Sequence, residues 1–166
     1  MKHFNRVCDL ICSGILGLCS LLVVIMLCCS ALQVFSRYVM GSSFTWTEET
    51  ARYCFIWLDL LGASVLVYRG GHAVVDLFSS KLRDLTKKVY QTVVYVSVFY
   101  VGVIFARYGL ALSARTFGQT SPSLKLSMGV VYGVIPLCGV LVCIFIINRV
   151  INVWLAQEPK EEVKNQ

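Results

Sequence analysis

Residues 44–76 read FTWTEETARYCFIWLDLLGASVLVYRGGHAVVD. Three charged side chains, Glu48, Glu49 and Arg52, stand at the head of an apolar run, and a fourth, Asp59, lies in its middle. From Trp46 to Tyr68 the run has the length of a membrane span, because a hydrocarbon core of about 30 Å takes about 20 helical residues at 1.5 Å each. The charges at its head suit a helix that begins at the membrane surface. Thr45-Trp46-Thr47-Glu48 has the form of a capping box, the two glutamates sit at the positive end of the helix dipole, and Arg52 follows Glu48 at ion-pair spacing. The same charges also suit a docking partner at the outer boundary, and both readings stand at this point.

Outward from this stretch the chain keeps the same character. Its 166 residues are 57% hydrophobic and 14% charged, with a mean hydropathy of +0.73, a composition that excludes a soluble domain. The apolar runs predict an all-α integral membrane protein with four transmembrane helices over about 7–35, 46–68, 89–112 and 128–154. Residues 1–156 form one membrane domain, and the polar stretch 157–166, QEPKEEVKNQ, forms a cytoplasmic tail. The first run, Leu10 to Val34, is longer than the core of a secretory signal and reads as a retained span. Between the second and third runs, residues 73–86 place Val74, Leu77, Phe78, Leu82 and Leu85 at helical spacing among polar residues. With Lys81, Arg83, Lys87 and Lys88 close by, this predicts a short amphipathic helix lying on membrane lipid at the cytoplasmic interface.

Lys and Arg set the orientation. With both termini cytoplasmic, the inside carries Lys2, Arg6, Arg69, Lys81, Arg83, Lys87, Lys88, Arg149, Lys160 and Lys164, and the outside only Arg37, Arg52, Arg107, Arg115 and Lys125. Trp46 and Trp154 fall at the two interfaces, where indole rings anchor. The net charge of +6 is thereby a matter of topology, with no nucleic-acid motif to claim it.

Chemistry-bearing patterns are sparse. His72 and Asp76 in GGHAVVD share a helix face, but the only other histidine is His3, so a helix entry is the reading and a metal site is not. The lack of histidines within the spans argues equally against a haem subunit. The eight cysteines lie in or beside spans without a CxxC or Cys/His spacing, and read as small buried apolar residues. Pro136 removes a donor and blocks the carbonyl of Tyr132, which predicts a kink in the last span. No nucleophile–base set, phosphate loop or convergent pair of acids occurs, so neither an enzyme nor a bound cofactor is expected.

FSRYVMGSSFTWTEETARYCFIWLDLLGA followed by GGHAVVD, with QTSPSLKLSMGVVYGVIPLCG near the other end, resembles the small membrane subunit of tripartite ATP-independent periplasmic (TRAP) transporters, the DctQ-like proteins. The positions that carry the resemblance are Arg37, Tyr38, Trp46, Glu48, Glu49, Arg52, Trp57, Gly62, Ala63, His72 and Asp76, then Ser121, Pro122, Leu124, Tyr132 and Pro136. The resemblance implies a non-catalytic subunit in the bacterial inner membrane. Its implied partners are a large multi-span TRAP membrane subunit and a periplasmic substrate-binding protein, which together take up an organic acid with sodium. It also implies that the small subunit packs against the large one without forming the substrate site; the outward loops 36–50 and 116–127 are then candidates to touch the binding protein, a question the residues leave open.

Asp59 matches nothing in that pattern. An ionised Asp at mid-span is costly against lipid, so it is expected to face protein, either paired with Arg149 of the last span or held neutral against the large subunit. The competing reading gives it a mechanism of its own: a small proton-coupled multidrug-type exporter acting as a homodimer, with Asp59 as its titrating acid.

Overall fold

A computed structural model of the chain describes residues 2–39, 41, 44–69 and 84–155. The amphipathic helix expected over 73–86 falls outside them up to residue 83, as do His72, Asp76 and the tail 157–166. The described residues form α1 (Lys2–Val39), α2 (Thr45–Arg69), α3 (Asp84–Thr116), a short α4 (Met128–Tyr132) and α5 (Val134–Leu155). Four stretches are long and apolar enough to cross a membrane: Arg6–Val39, Thr45–Arg69, Thr92–Thr116 and Met128–Val150. The chain is an all-α integral membrane protein with four transmembrane helices. At 1.5 Å per residue α1 is about 57 Å long, so it tilts within or projects from a core of about 30 Å.

α1 lies along α2, α3 lies along α5, and contact between α2 and α5 joins the two pairs. The last span, α4 with α5, is the centre: 44% of its most apolar stretch is buried, against 11% for the corresponding stretches of α1 and α3. Cys8, Cys12, Ile15 and Cys19 recur every three or four residues of α1 and make its one buried stripe, packed with Leu61 and Val65 of α2 and Val134 and Phe145 of α5. These cysteines are free and behave as small core side chains. Leu10, Leu21, Val24 and Leu27 of the same helix point outward, as a lipid-facing surface requires. The first span is not apolar throughout, however, because Asp9 is exposed in its early turns.

Between α3 and α5 glycine sets the distance. A Cβ on Gly139 would collide with the backbone of Ala106 and come within 2.6 Å of the Gly102 carbonyl oxygen, and one on Gly109 would sit 2.8 Å from the Pro136 ring. Small residues at such crossings let backbones touch, which is how membrane helices gain packing energy without a hydrophobic drive.

The last span is interrupted near the expected proline kink, but the break falls three residues earlier, at Gly133. α4 ends at Tyr132, Gly133 donates back to the Val130 carbonyl (3.2 Å), and α5 starts at Val134. Pro136 is therefore the third residue of a new helix, where a missing N–H costs little. A carbonyl left open by the break finds another partner, since the Trp57 indole of α2 donates to Val131 O at 3.1 Å.

Candidate functional site

Two clusters of polar side chains, one at each end of the bundle, tie its helices together. At the end of the α1–α2 and α3–α4 connections, residues 117–127 form a tight hairpin. Ser121 N donates to Leu126 O (2.9 Å), Met128 N to Gln119 O (2.8 Å), and Lys125 takes a left-handed φ of 53° to close the turn. The Ser127 hydroxyl donates to Phe117 O at 2.7 Å and fixes the hairpin to the end of α3.

Glu49 locks this hairpin onto α2. Its carboxylate accepts the Ser121 hydroxyl at 3.0 Å, the Leu124 N–H at 3.0 Å and the Ser123 N–H at 3.2 Å. Successive backbone N–H groups of a turn make a concave anion site, and here the anion is a side chain of the same protein. Beside it the two other acid-and-base residues of the opening stretch pair with each other: Arg52 donates to Glu48 at 2.8 Å, with both side chains more than half exposed. Glu48 thus turns forward to Arg52 and not back to Thr45. The hydroxyl that closes the first turn is that of buried Thr47, which donates to Phe44 O at 2.7 Å.

At the opposite end a second node joins all four long helices. Arg149 of α5 donates through Nε to the Tyr95 hydroxyl of α3 (3.3 Å) and through Nη1 to the Tyr68 carbonyl of α2 (3.2 Å). The Tyr68 hydroxyl donates to Asp9 of α1 at 2.6 Å, and its ring lies 4.8 Å from that of Phe145. Sequence reasoning missed Asp9 and Tyr95. A lone acid early in an apolar span was the available signal for Asp9, and Tyr95 carried none.

The expected pair Asp59–Arg149 does not form. Arg149 reaches α2 at Tyr68, nine residues beyond Asp59, a distance of about 14 Å along the helix axis. Asp59 instead lies on the exposed side of α2, in a shallow groove with Phe55, Leu58, Gly62, Ala63 and Leu66. Among the described residues the only ion pair is Arg52–Glu48, and none donates a hydrogen bond to Asp59.

The remaining motif residues divide between the core and the surface. Trp57 is half-buried against α4, Tyr132 closes α4, and Pro136 is buried beside Gly109. Arg37 and Tyr38 are exposed in the last turn of α1, Trp46 is exposed with its ring 6.3 Å from that of Phe44, and Pro122 is exposed in the hairpin. Among the described residues no cluster of His, Cys, Asp and Glu has the makings of a metal site.

Such a molecule is a four-span helical membrane protein in which Glu49 and Trp57 tie α2 to the hairpin and to α4. Residues 10–156 match the family described as tripartite ATP-independent periplasmic transporters, DctQ component, and the chain belongs to that family. It is a small TRAP permease subunit, a multi-pass protein of the inner membrane. A TRAP transporter small permease protein of Haemophilus influenzae is 27% identical over 153 residues, 92% of this chain and 91% of that one. The sialic acid TRAP transporter permease protein SiaT of Haemophilus influenzae is 32% identical over 89 residues, 54% of this chain but 14% of that protein. The isethionate TRAP transporter permease protein DctMQ of Oleidesulfovibrio alaskensis is 30% identical over 93 residues, 55% of this chain and 15% of that one. In these last two the matching stretch is a small part of a much longer permease.

Proposed function

We propose that this chain is the non-catalytic brace of a three-part transporter. A periplasmic binding protein captures an organic acid, a large permease subunit carries it inward with sodium, and this subunit widens and stiffens the fixed part of the membrane assembly. The observation that supports this reading is the Glu49 clasp. A carboxylate that accepts from Ser121, Ser123 and Leu124 is occupied by its own chain, and the motif it belongs to serves rigidity. The relatives that span much longer permeases support a large membrane partner, and their names, sialic acid and isethionate, support an anionic organic substrate.

The orientation that accompanies this reading has both termini cytoplasmic and the Glu49 hairpin periplasmic, in keeping with the ten-to-five excess of Lys and Arg on the inner side. The exposed Pro122 of the hairpin then faces the binding protein. The family membership leaves the homodimeric exporter without support.

The test is reconstitution. Proteoliposomes containing the large subunit and this chain, with binding protein and substrate outside and an inward sodium gradient, are expected to take up the organic acid only when all three proteins are present. Uptake by this chain alone, or by the other two without it, would overturn the proposal.

A further inference from the structure

α2 carries one continuous exposed strip: Glu48, Arg52, Phe55, Asp59, Ala63 and Leu66, each three or four residues from the next. It lies opposite the buried face made by Leu61, Ser64 and Val65. Asp59 is about 21 Å from Thr45 and about 15 Å from Arg69, so it sits in hydrocarbon whichever way the helix tilts. Beside it, a Cβ built on Gly62 meets nothing within 4 Å, so no neighbour within this chain calls for a glycine there. A mid-membrane carboxylate, bordered by a Gly-Ala notch and flanked by Phe55 and Leu66, is thus exposed and accepts no hydrogen bond from the described residues.

Three occupants are conceivable, and charge separates them. Lipid tails offer no donor, and polar side chains in spans are paired with protein or water. A second copy seated symmetrically on this strip would bring Asp59 against Asp59, like charges that meet only at the cost of a proton taken up by one of them. A helix of a different protein that carries a donor at this depth satisfies the carboxylate, and the notch lets its backbone approach.

We infer that this strip seats a transmembrane helix of the large permease subunit, and that this helix presents a hydrogen-bond donor side chain to Asp59. The inference rests on the subunit reading above and deepens it by naming the surface and the chemistry of the contact. The outer Glu48–Arg52 pair extends the same seat to the membrane surface.

The experiment places a photo-crosslinking amino acid at Phe55 or Leu66, and for comparison at Val103 or Leu110 on the exposed side of α3, in chains co-expressed with the large subunit. Crosslinks to the large subunit are expected from the α2 positions and not from the α3 positions. Crosslinked homodimers from α2, or large-subunit crosslinks from α3 alone, would overturn the seat. In a second measurement, Ala63→Trp and Asp59→Leu are expected to lower the amount of large subunit that co-purifies by at least about tenfold, with each variant alone keeping its wild-type melting temperature or exceeding it. Undiminished co-purification of Asp59→Leu would refute the donor contact, and undiminished co-purification of Ala63→Trp would refute the seat. If the wild-type chain fails to co-purify at all, the subunit reading falls together with the strip, whereas a failure confined to the α2 positions leaves that reading standing.

Discussion

Glu49 and Asp59 sit ten residues apart on the same helix, and their surroundings are opposite. Glu49 accepts three groups from a hairpin that is 72 to 75 residues away in the chain, and Asp59 accepts none from the described residues. Ten residues turn an α-helix by 1000°, which leaves the two side chains about 80° apart around the axis. That rotation carries one acid to the edge of the bundle, where a turn offers backbone N–H groups, and the other to the outer face. An acidic side chain at a membrane boundary and one at mid-span are therefore different physical statements: the first holds the subunit together, the second has energy to gain from a neighbour.

The widest contrast is expected from Glu49→Lys. It puts a cation against the N–H groups of Ser123 and Leu124, so the hairpin should detach from α2. The variant should melt several degrees below wild type in detergent, with fast amide exchange confined to 117–127. Unchanged melting would mean that the Glu49 carboxylate does not hold the hairpin to α2. Asp59→Leu tests the second term with the opposite sign: in a membrane-insertion assay of α2 alone, removing a central acid should favour insertion by about 2.5–3.5 kcal/mol. A loss of insertion would mean that the carboxylate is already satisfied within its own helix.

Smaller effects sharpen the picture around the same helix. Trp57→Phe keeps the ring packing but leaves the Val131 carbonyl without its indole donor, at a cost of about 1–3 kcal/mol in unfolding measurements. An effect near zero would mean that water reaches the break at Gly133. Arg52→Gln is expected to matter least, about 0.3–0.5 kcal/mol and screened by salt, because the pair it breaks is more than half exposed. A much larger loss in the isolated chain would place the Glu48–Arg52 pair alongside Glu49 as a structural element.

Much of this architecture is local and so could be read from residues in order. Four apolar runs of spanning length, charges at the head of the second, a stripe of small cysteines in the first and a proline near the start of the last are one-dimensional patterns that lipid and helix geometry turn into structure. Helical periodicity even put Arg52, Asp59 and Gly62 on neighbouring positions of one face. Which way that face turns depended on the packing of the other helices. The same holds for Arg149: its guanidinium goes to Tyr95 and Tyr68, about 14 Å along α2 from Asp59.

Contacts between distant segments were decided by the tertiary structure alone. Nothing near Glu49 in the chain announces Ser121 and Leu124 as its partners, and nothing near Gly139 announces that Ala106 will lie against it. The sequence by itself determined the class of protein, the number of spans and the places where polar groups had to be accounted for, because hydrocarbon imposes those conditions on every helix separately. The tertiary structure decided which acid is satisfied inside the chain and which one is left facing outward, because that depends on the rotation of α2 against α1 and α5, and on a hairpin more than 70 residues away that the packing of α3 brings to it.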